Sequence, residues 1–168
     1  MKNRYNLALI PLSKSFAVTS LAQQMSSLAH EYLPGERSLP HVTLYHFEAE
    51  ENNIATIWKQ IIDQCDSTSI VLKFNKISYK CDDTICWIAL LPEQGEALRK
   101  MHDLIANVLS MPIKKYYDPH MTLLNTTDKD YVNKSNALIT PYLPILDTFI
   151  LSLGSSDEIG QFMEVIYC

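Results

Sequence analysis

Two five-residue phrases hold the side chains best suited to chemistry: Pro40-His41-Val42-Thr43-Leu44 and Pro119-His120-Met121-Thr122-Leu123. One His-x-Thr is weak evidence in a chain of 168 residues with five histidines. The longer Pro-His-apolar-Thr-Leu phrase is expected by chance in roughly one such chain per thousand, and two copies are far rarer. Alternate side chains of a strand share a face, so His41 and Thr43 point one way while Val42 and Leu44 point the other. His120 and Thr122 stand in the same relation to Met121 and Leu123. Two imidazoles and two hydroxyls facing each other suit phosphoryl chemistry. A neutral imidazole takes a proton from attacking water and a protonated one gives a proton to the leaving oxygen. Imidazole titrates near neutrality, so both forms are accessible together. The threonine hydroxyls can donate to non-bridging phosphate oxygens, where charge must be held. This set calls for no metal and no cofactor.

The elements that must position these phrases recur in the same order. Tyr5 to Leu12 predicts a strand. Leu21, Met25, Leu28, Ala29 and Tyr32 predict a helix that Pro34-Gly35 stops. His41 to Phe47 predicts the strand of the first phrase. Ile54, Ile57, Trp58, Ile61 and Ile62 form a helical stripe, and Ile70 to Tyr79 alternates as a half-buried strand does. The second pass then begins with a strand from Ile85 to Leu91. A helix with Leu98, Met101, Ile105, Val108 and Leu109 on its apolar stripe follows. Next come a strand from His120 to Leu124, a short helix from Tyr131 to Leu138, and strands from Thr148 to Leu153 and Phe162 to Tyr167. An order repeated in this way predicts two similar lobes related by a pseudo-two-fold axis, with a cleft between them. No linker rich in Gly, Ser or Pro separates them, so residues 1–168 read as a single domain of two pseudo-symmetric lobes.

Composition narrows the partners. A formal net charge of −5 argues against a broad, sequence-independent grip on duplex nucleic acid, which needs a basic face. No apolar run is long enough to span a bilayer, and the block Leu7 to Ile10 before Pro11 reads as a strand, not a signal peptide. Cys65, Cys81, Cys86 and Cys168 show no zinc spacing. They read as reduced thiols, and the protein as cytoplasmic.

The paired His-x-Thr phrases on a duplicated chain of this size resemble the 2H phosphoesterase superfamily. That group includes bacterial 2′,5′ RNA ligase-like proteins, RNA 2′,3′-cyclic phosphodiesterases and plant cyclic phosphodiesterases. The resemblance implies a bilobal, duplicated α/β (α+β) fold, with two antiparallel-rich sheets facing a central cleft and helices outside. It implies His41 and His120 as the acid/base pair and Thr43 and Thr122 as phosphate ligands. It further implies a metal-independent phosphodiesterase acting on a 2′,3′-cyclic phosphate or related 2′,5′ linkage of a nucleotide or RNA end. The lead-in from Gly35 to Leu39 departs from the longer one of many members and leaves the subfamily open. A nucleotide-binding or RNA-end-binding module without turnover is the rival of another class.

Around the phrases, Tyr45 shares the parity of His41 and Thr43 and could stack on a base. Tyr116 and Tyr117, with Lys114 and Lys115, form a basic-aromatic loop that leads into His120 and could hold an anion and cover a base. Parity sends His46 to the opposite face, and His102 sits on the apolar stripe of its helix as a packed residue. A zinc site from His41, His46 and His120 would need that parity broken. Lys73, Lys76 and Lys80 read as surface charge, with Arg37 a lesser candidate for the cleft. The lobes close on each other, so a monomer is expected.

Overall fold

The computed structural model describes residues 2–13, 17–35 and 38–168. Within them the chain forms β1 (Lys2–Pro11), α1 (Ala17–Gln24), β2 (Val42–Glu50), α2 (Ile54–Gln64), β3 (Ser69–Asp82), β4 (Ile85–Pro92), α3 (Gly95–Val108), β5 (Met121–Thr126), α4 (Tyr131–Ile139), β6 (Ile145–Ser156) and β7 (Phe162–Tyr167), with short 3-10 turns between some of them. The α3 stripe explains itself: Leu98, His102 and Ile105 fall on one helical face and all are buried. α1 is shorter than its apolar spacing predicts, because tertiary bonds claim the following backbone. The Met25 amide shares the Leu21 and Ala22 carbonyls, closing the last turn. Beyond it the His30 amide bonds to the Asn125 carbonyl, and the Glu31 and Tyr32 amides bond to the Asn125 side-chain oxygen. β6 starts earlier than predicted because Ile145 to Ile150 pair with β3.

All pairings are antiparallel, in the order β2-β1-β6-β3-β4-β5, with β7 added to β6. The two antiparallel sheets expected from the repeat are the halves of this one hydrogen-bonded path. β1 takes one edge of β6, while β3 and β7 share the other, β3 along Ile145 to Ile150 and β7 along Leu153 to Ser156. The strands carrying the two phrases, β2 and β5, lie at opposite ends of the path yet come close to each other. The sheet therefore curls until its ends face across a gap, as its accumulated twist allows. α3 packs behind β2 and α1 behind β5, so each phrase is backed by a helix from the other half. One hydrophobic cluster spans both halves, with Leu7, Leu44, Leu72, Leu90, Leu98 and Leu123 among its buried members. Burying one such leucine side chain stabilises by about 1.5–3 kcal/mol.

Equivalent stations of the halves match residue for residue. Ala8 opposes Thr43 and Ser152; Ala89 opposes Thr122 and Ser78. In both halves the register slips just past the threonine, between Leu7 and Ala8 on β1 and between Ile88 and Ala89 on β4. Leu44 and Leu123 are the extra residues of the two bulges.

The cysteines differ from the sequence expectation. Cys81 and Cys86 are direct partners across the β3–β4 hairpin and form a disulfide, while Cys65 and Cys168 are free. Their proximity comes from hairpin register, which a spacing of five residues does not reveal.

Candidate functional site

Both histidines are set by the same local device. A proline has no N–H and biases the residue before it toward an extended backbone. Here that leaves the preceding carbonyl beside the imidazole. His41 Nδ1 lies 2.8 Å from the Leu39 carbonyl, and His120 Nδ1 lies 2.7 Å from the Asp118 carbonyl. A carbonyl only accepts, so each ring donates from Nδ1 and turns Nε2 away from that carbonyl. Pro-His therefore means an oriented imidazole of defined tautomer in both halves.

The threonines stand on the same face one pair further along. The Asn6 side-chain amide donates to Thr43 Oγ1 over 3.1 Å, which leaves the Thr43 hydroxyl proton free for another acceptor. The bulge then exposes main-chain carbonyls that other side chains satisfy. His102 Nδ1 donates to the Leu44 carbonyl at 2.8 Å, and the Tyr117 hydroxyl donates to the Thr43 carbonyl at 2.8 Å.

His41, Thr43, His120 and Thr122 line one cleft of about 450 Å³, together with Trp87, among others. That volume lies in the range of small-ligand sites. A larger, more open groove of about 970 Å³ follows the outer ends of β1 and β7 between Lys2, Arg4, Glu51 and Glu164. It holds neither phrase and no histidine, so the smaller cleft is the candidate site.

The two imidazoles sit in unlike surroundings. His41 is only 6% exposed, and the Phe162 ring packs 5.5 Å from it. Gly154 makes room for that ring, since a Cβ there would overlap both the Phe162 ring and the Glu164 carbonyl. Burial pushes the His41 pKa down to about 4, against the opposing pull of hydrogen bonds to the Leu39 and Gly160 backbone and with added repulsion from His46 and His120. His41 is thus neutral at physiological pH. His120 is exposed to solvent.

The sequence from residue 15 to 145 matches the family model of the 2′-5′ RNA ligase superfamily. The chain belongs to this superfamily. It is the group that the paired phrases resemble, one of phosphoesterases and ligases. No curated protein sequence matches the chain. Among solved structures, the fold is similar to Escherichia coli LigT complexed with 3′-AMP, at TM-score 0.62 and 11% identity over 100% of this chain and 96% of that one. It is also similar to the same protein complexed with phosphate, at TM-score 0.60 and 12% identity over 99% and 95%. A protein described as a phosphoesterase matches at TM-score 0.55 and 13% identity over 94% and 90%. At these identities the likeness shows the fold.

Against this 2′-5′ RNA ligase frame, the sequence-predicted residues divide. The four residues of the paired motifs come together as expected. Tyr45 does not join them: the bulge at Leu44 reverses the parity of everything after it. Tyr45 is buried, stacked 5.3 Å from His102, with its hydroxyl donating to the Pro112 carbonyl. His46 is instead turned into the cleft, the reverse of its expected face. Partial burial there, with the cations of Lys114 and Arg4, lowers its pKa. Tyr117 lines the cleft but is also engaged from behind, stacked on His102 at 4.3 Å. Tyr116 is 83% exposed at the cleft mouth. Lys114 lines the cleft; Lys115 does not, and its ammonium lies over the Tyr116 ring. Arg37 lies outside the described residues.

His102 proves a packed residue with a structural task. It sits between the rings of Tyr45 and Tyr117 and accepts the Lys114 amide on Nε2 at 3.3 Å. This buckle ties the loop that leads to His120 onto the strand of His41. Sequence reasoning missed Asn6, Trp87 and Tyr32. The bulges had a signal: Leu44-Tyr45 and Leu123-Leu124 are adjacent buried apolar pairs that break strand alternation.

Proposed function

We propose that this superfamily member hydrolyses a 2′,3′-cyclic phosphate, or a related 2′,5′ phosphodiester, at the end of a nucleotide or RNA, without a metal or cofactor. The mirrored Pro-His geometry carries the reading: two imidazoles, each held through Nδ1 by the carbonyl two residues before it, line one cleft together with two threonines. His41, neutral through burial, takes a proton from water at Nε2. The water oxygen bonds to phosphorus, the bond from phosphorus to one ribose oxygen breaks, and His120 Nε2–H protonates that oxygen. Thr43 and Thr122 donate to the non-bridging oxygens as charge gathers there. The exposed His120 takes the acid role because the proton of a buried His41 is the harder one to hold. Every group in this sequence comes from one chain, so a monomer suffices.

The test is product analysis on 2′,3′-cyclic mononucleotides and on a short RNA ending in a cyclic phosphate, with EDTA present. Wild type is expected to open the ring, while His41→Ala and His120→Ala do not. Tight nucleotide binding with no product over hours would make the chain a binding module instead.

A further inference from the structure

We infer that the recess beside His120 is a subsite for the pyrimidine base of the substrate nucleotide. The inference rests on the proposed nucleotide reaction and deepens it. Its support is the internal repeat, because the first half shows what fills the matching place. Asn6 opposes Gly154 there, one alternate pair beyond Ala8 and Ser152. Gly154 lacks a Cβ, and the six-membered ring of Phe162 occupies the space beside His41.

In the second half, Trp87 stands where Asn6 does and Lys80 where Gly154 does, one alternate pair beyond Ala89 and Ser78. No strand matches β7 here among the described residues, since β6 pairs with β3 only from Ser69 to Phe74. Among the described residues no ring takes the place that Phe162 holds in the first half. What remains is a recess of about 230 Å³ lined by Ser78, Lys80, Trp87, Ala89, His120 and Thr122. A cavity of about 150 Å³ accepts benzene, so this one takes a six-membered heterocycle with its exocyclic atoms.

Its walls suit a base. The Trp87 indole is half-buried and braced edge-on by Tyr32 at 5.8 Å, a platform of the kind on which bases stack. Lys80 lines it while ion-paired with Asp118, and Ser78 and Ala89 add small side chains to the wall. The Ser78 hydroxyl both donates and accepts, so it can meet the edge of uracil or cytosine. The recess opens onto His120 and Thr122, so a base seated in it carries its ribose phosphate toward the paired motifs.

The experiment compares kcat/KM for the 2′,3′-cyclic phosphates of uridine, cytidine, adenosine and guanosine, and for the base-free methyl riboside 2′,3′-cyclic phosphate. Wild type, Trp87→Ala, Ala89→Leu and Ser78→Leu are measured, with thermal melts to confirm folding. A preference for pyrimidine over base-free substrate of roughly tenfold or more is expected, mainly in KM. That ratio should collapse toward one in folded variants that fill the recess or remove its wall. Equal rates on all substrates, a purine preference, or an unchanged ratio in Ala89→Leu and Ser78→Leu would overturn the subsite. If no substrate turns over, including the base-free one, the reaction itself fails and the subsite is judged by binding. In a Trp58→Phe background, uridine 2′-monophosphate should quench Trp87, and ribose 5-phosphate should not. Quenching by neither, or equally by both, overturns it.

Discussion

Laid over each other by register, the two halves agree at the paired motifs and differ one layer behind them. Ala8, Ser152, Thr43 and His41 answer to Ala89, Ser78, Thr122 and His120. Behind those, a Phe162 ring buries His41, whereas an open recess lies beside His120. After the bulge Tyr45 stacks on His102 in one half, while Leu124 holds that station in the other. The duplication thus supplies two near-identical His-Thr units, and the layer behind makes their surroundings differ. Burial lowers the pKa of His41, while His120 stays open to solvent.

The largest expected effect is loss of either histidine. His41→Ala and His120→Ala should each lower turnover by roughly 10²–10⁴-fold. In the mechanism proposed, both are needed however unlike their surroundings, and a near wild-type rate in either would break the equivalence. Thr43→Ala and Thr122→Ala should cost on the order of 10–10³-fold in kcat. Asn6→Ala should add little on top of Thr43→Ala, since its amide acts through that hydroxyl.

Gly154→Ala tests whether Phe162 makes the difference between the histidines. Forcing a methyl against that ring should destabilise by about 1–3 kcal/mol in a denaturant titration. In the folded fraction it should raise the pKa of His41 toward the ordinary value as packing loosens. The pH dependence reads the same asymmetry in wild type. The acid limb of kcat/KM should fall near 4, where the buried His41 protonates, and not near the usual 6.5 of histidine. The unfolded chain holds the His41 proton from about 6.5 downward, so stability should decline as pH drops from 6.5 toward 4. His41→Phe should flatten that decline. His46 acts in the same direction, but its exposure to water makes its share smaller. The smallest effect is expected from Tyr45→Phe, which removes one hydrogen bond to the Pro112 carbonyl. It should cost about 1 kcal/mol and loosen the loop before His120 without touching the cleft.

By itself the sequence determined the repeat, the strand and helix order and the four groups most fit for chemistry. Each of those is carried by local periodicity or by a rare phrase present twice. Pro before His even encodes the imidazole's orientation, because the effect reaches only two residues back. What lay beyond it was everything set by register between distant segments. The bulges at Leu44 and Leu123 reversed the parity of Tyr45 and His46, although adjacent apolar pairs marked the spot. The helix after Leu21 ended early because Asn125, far along the chain, claims the backbone of Glu31 and Tyr32. Cys81 and Cys86 met because a hairpin placed them opposite each other. The burial of His41 and the exposure of His120 were decided by tertiary structure alone, because what surrounds each ring comes from distant segments. Phe162, which buries His41, comes from the far end of the sequence.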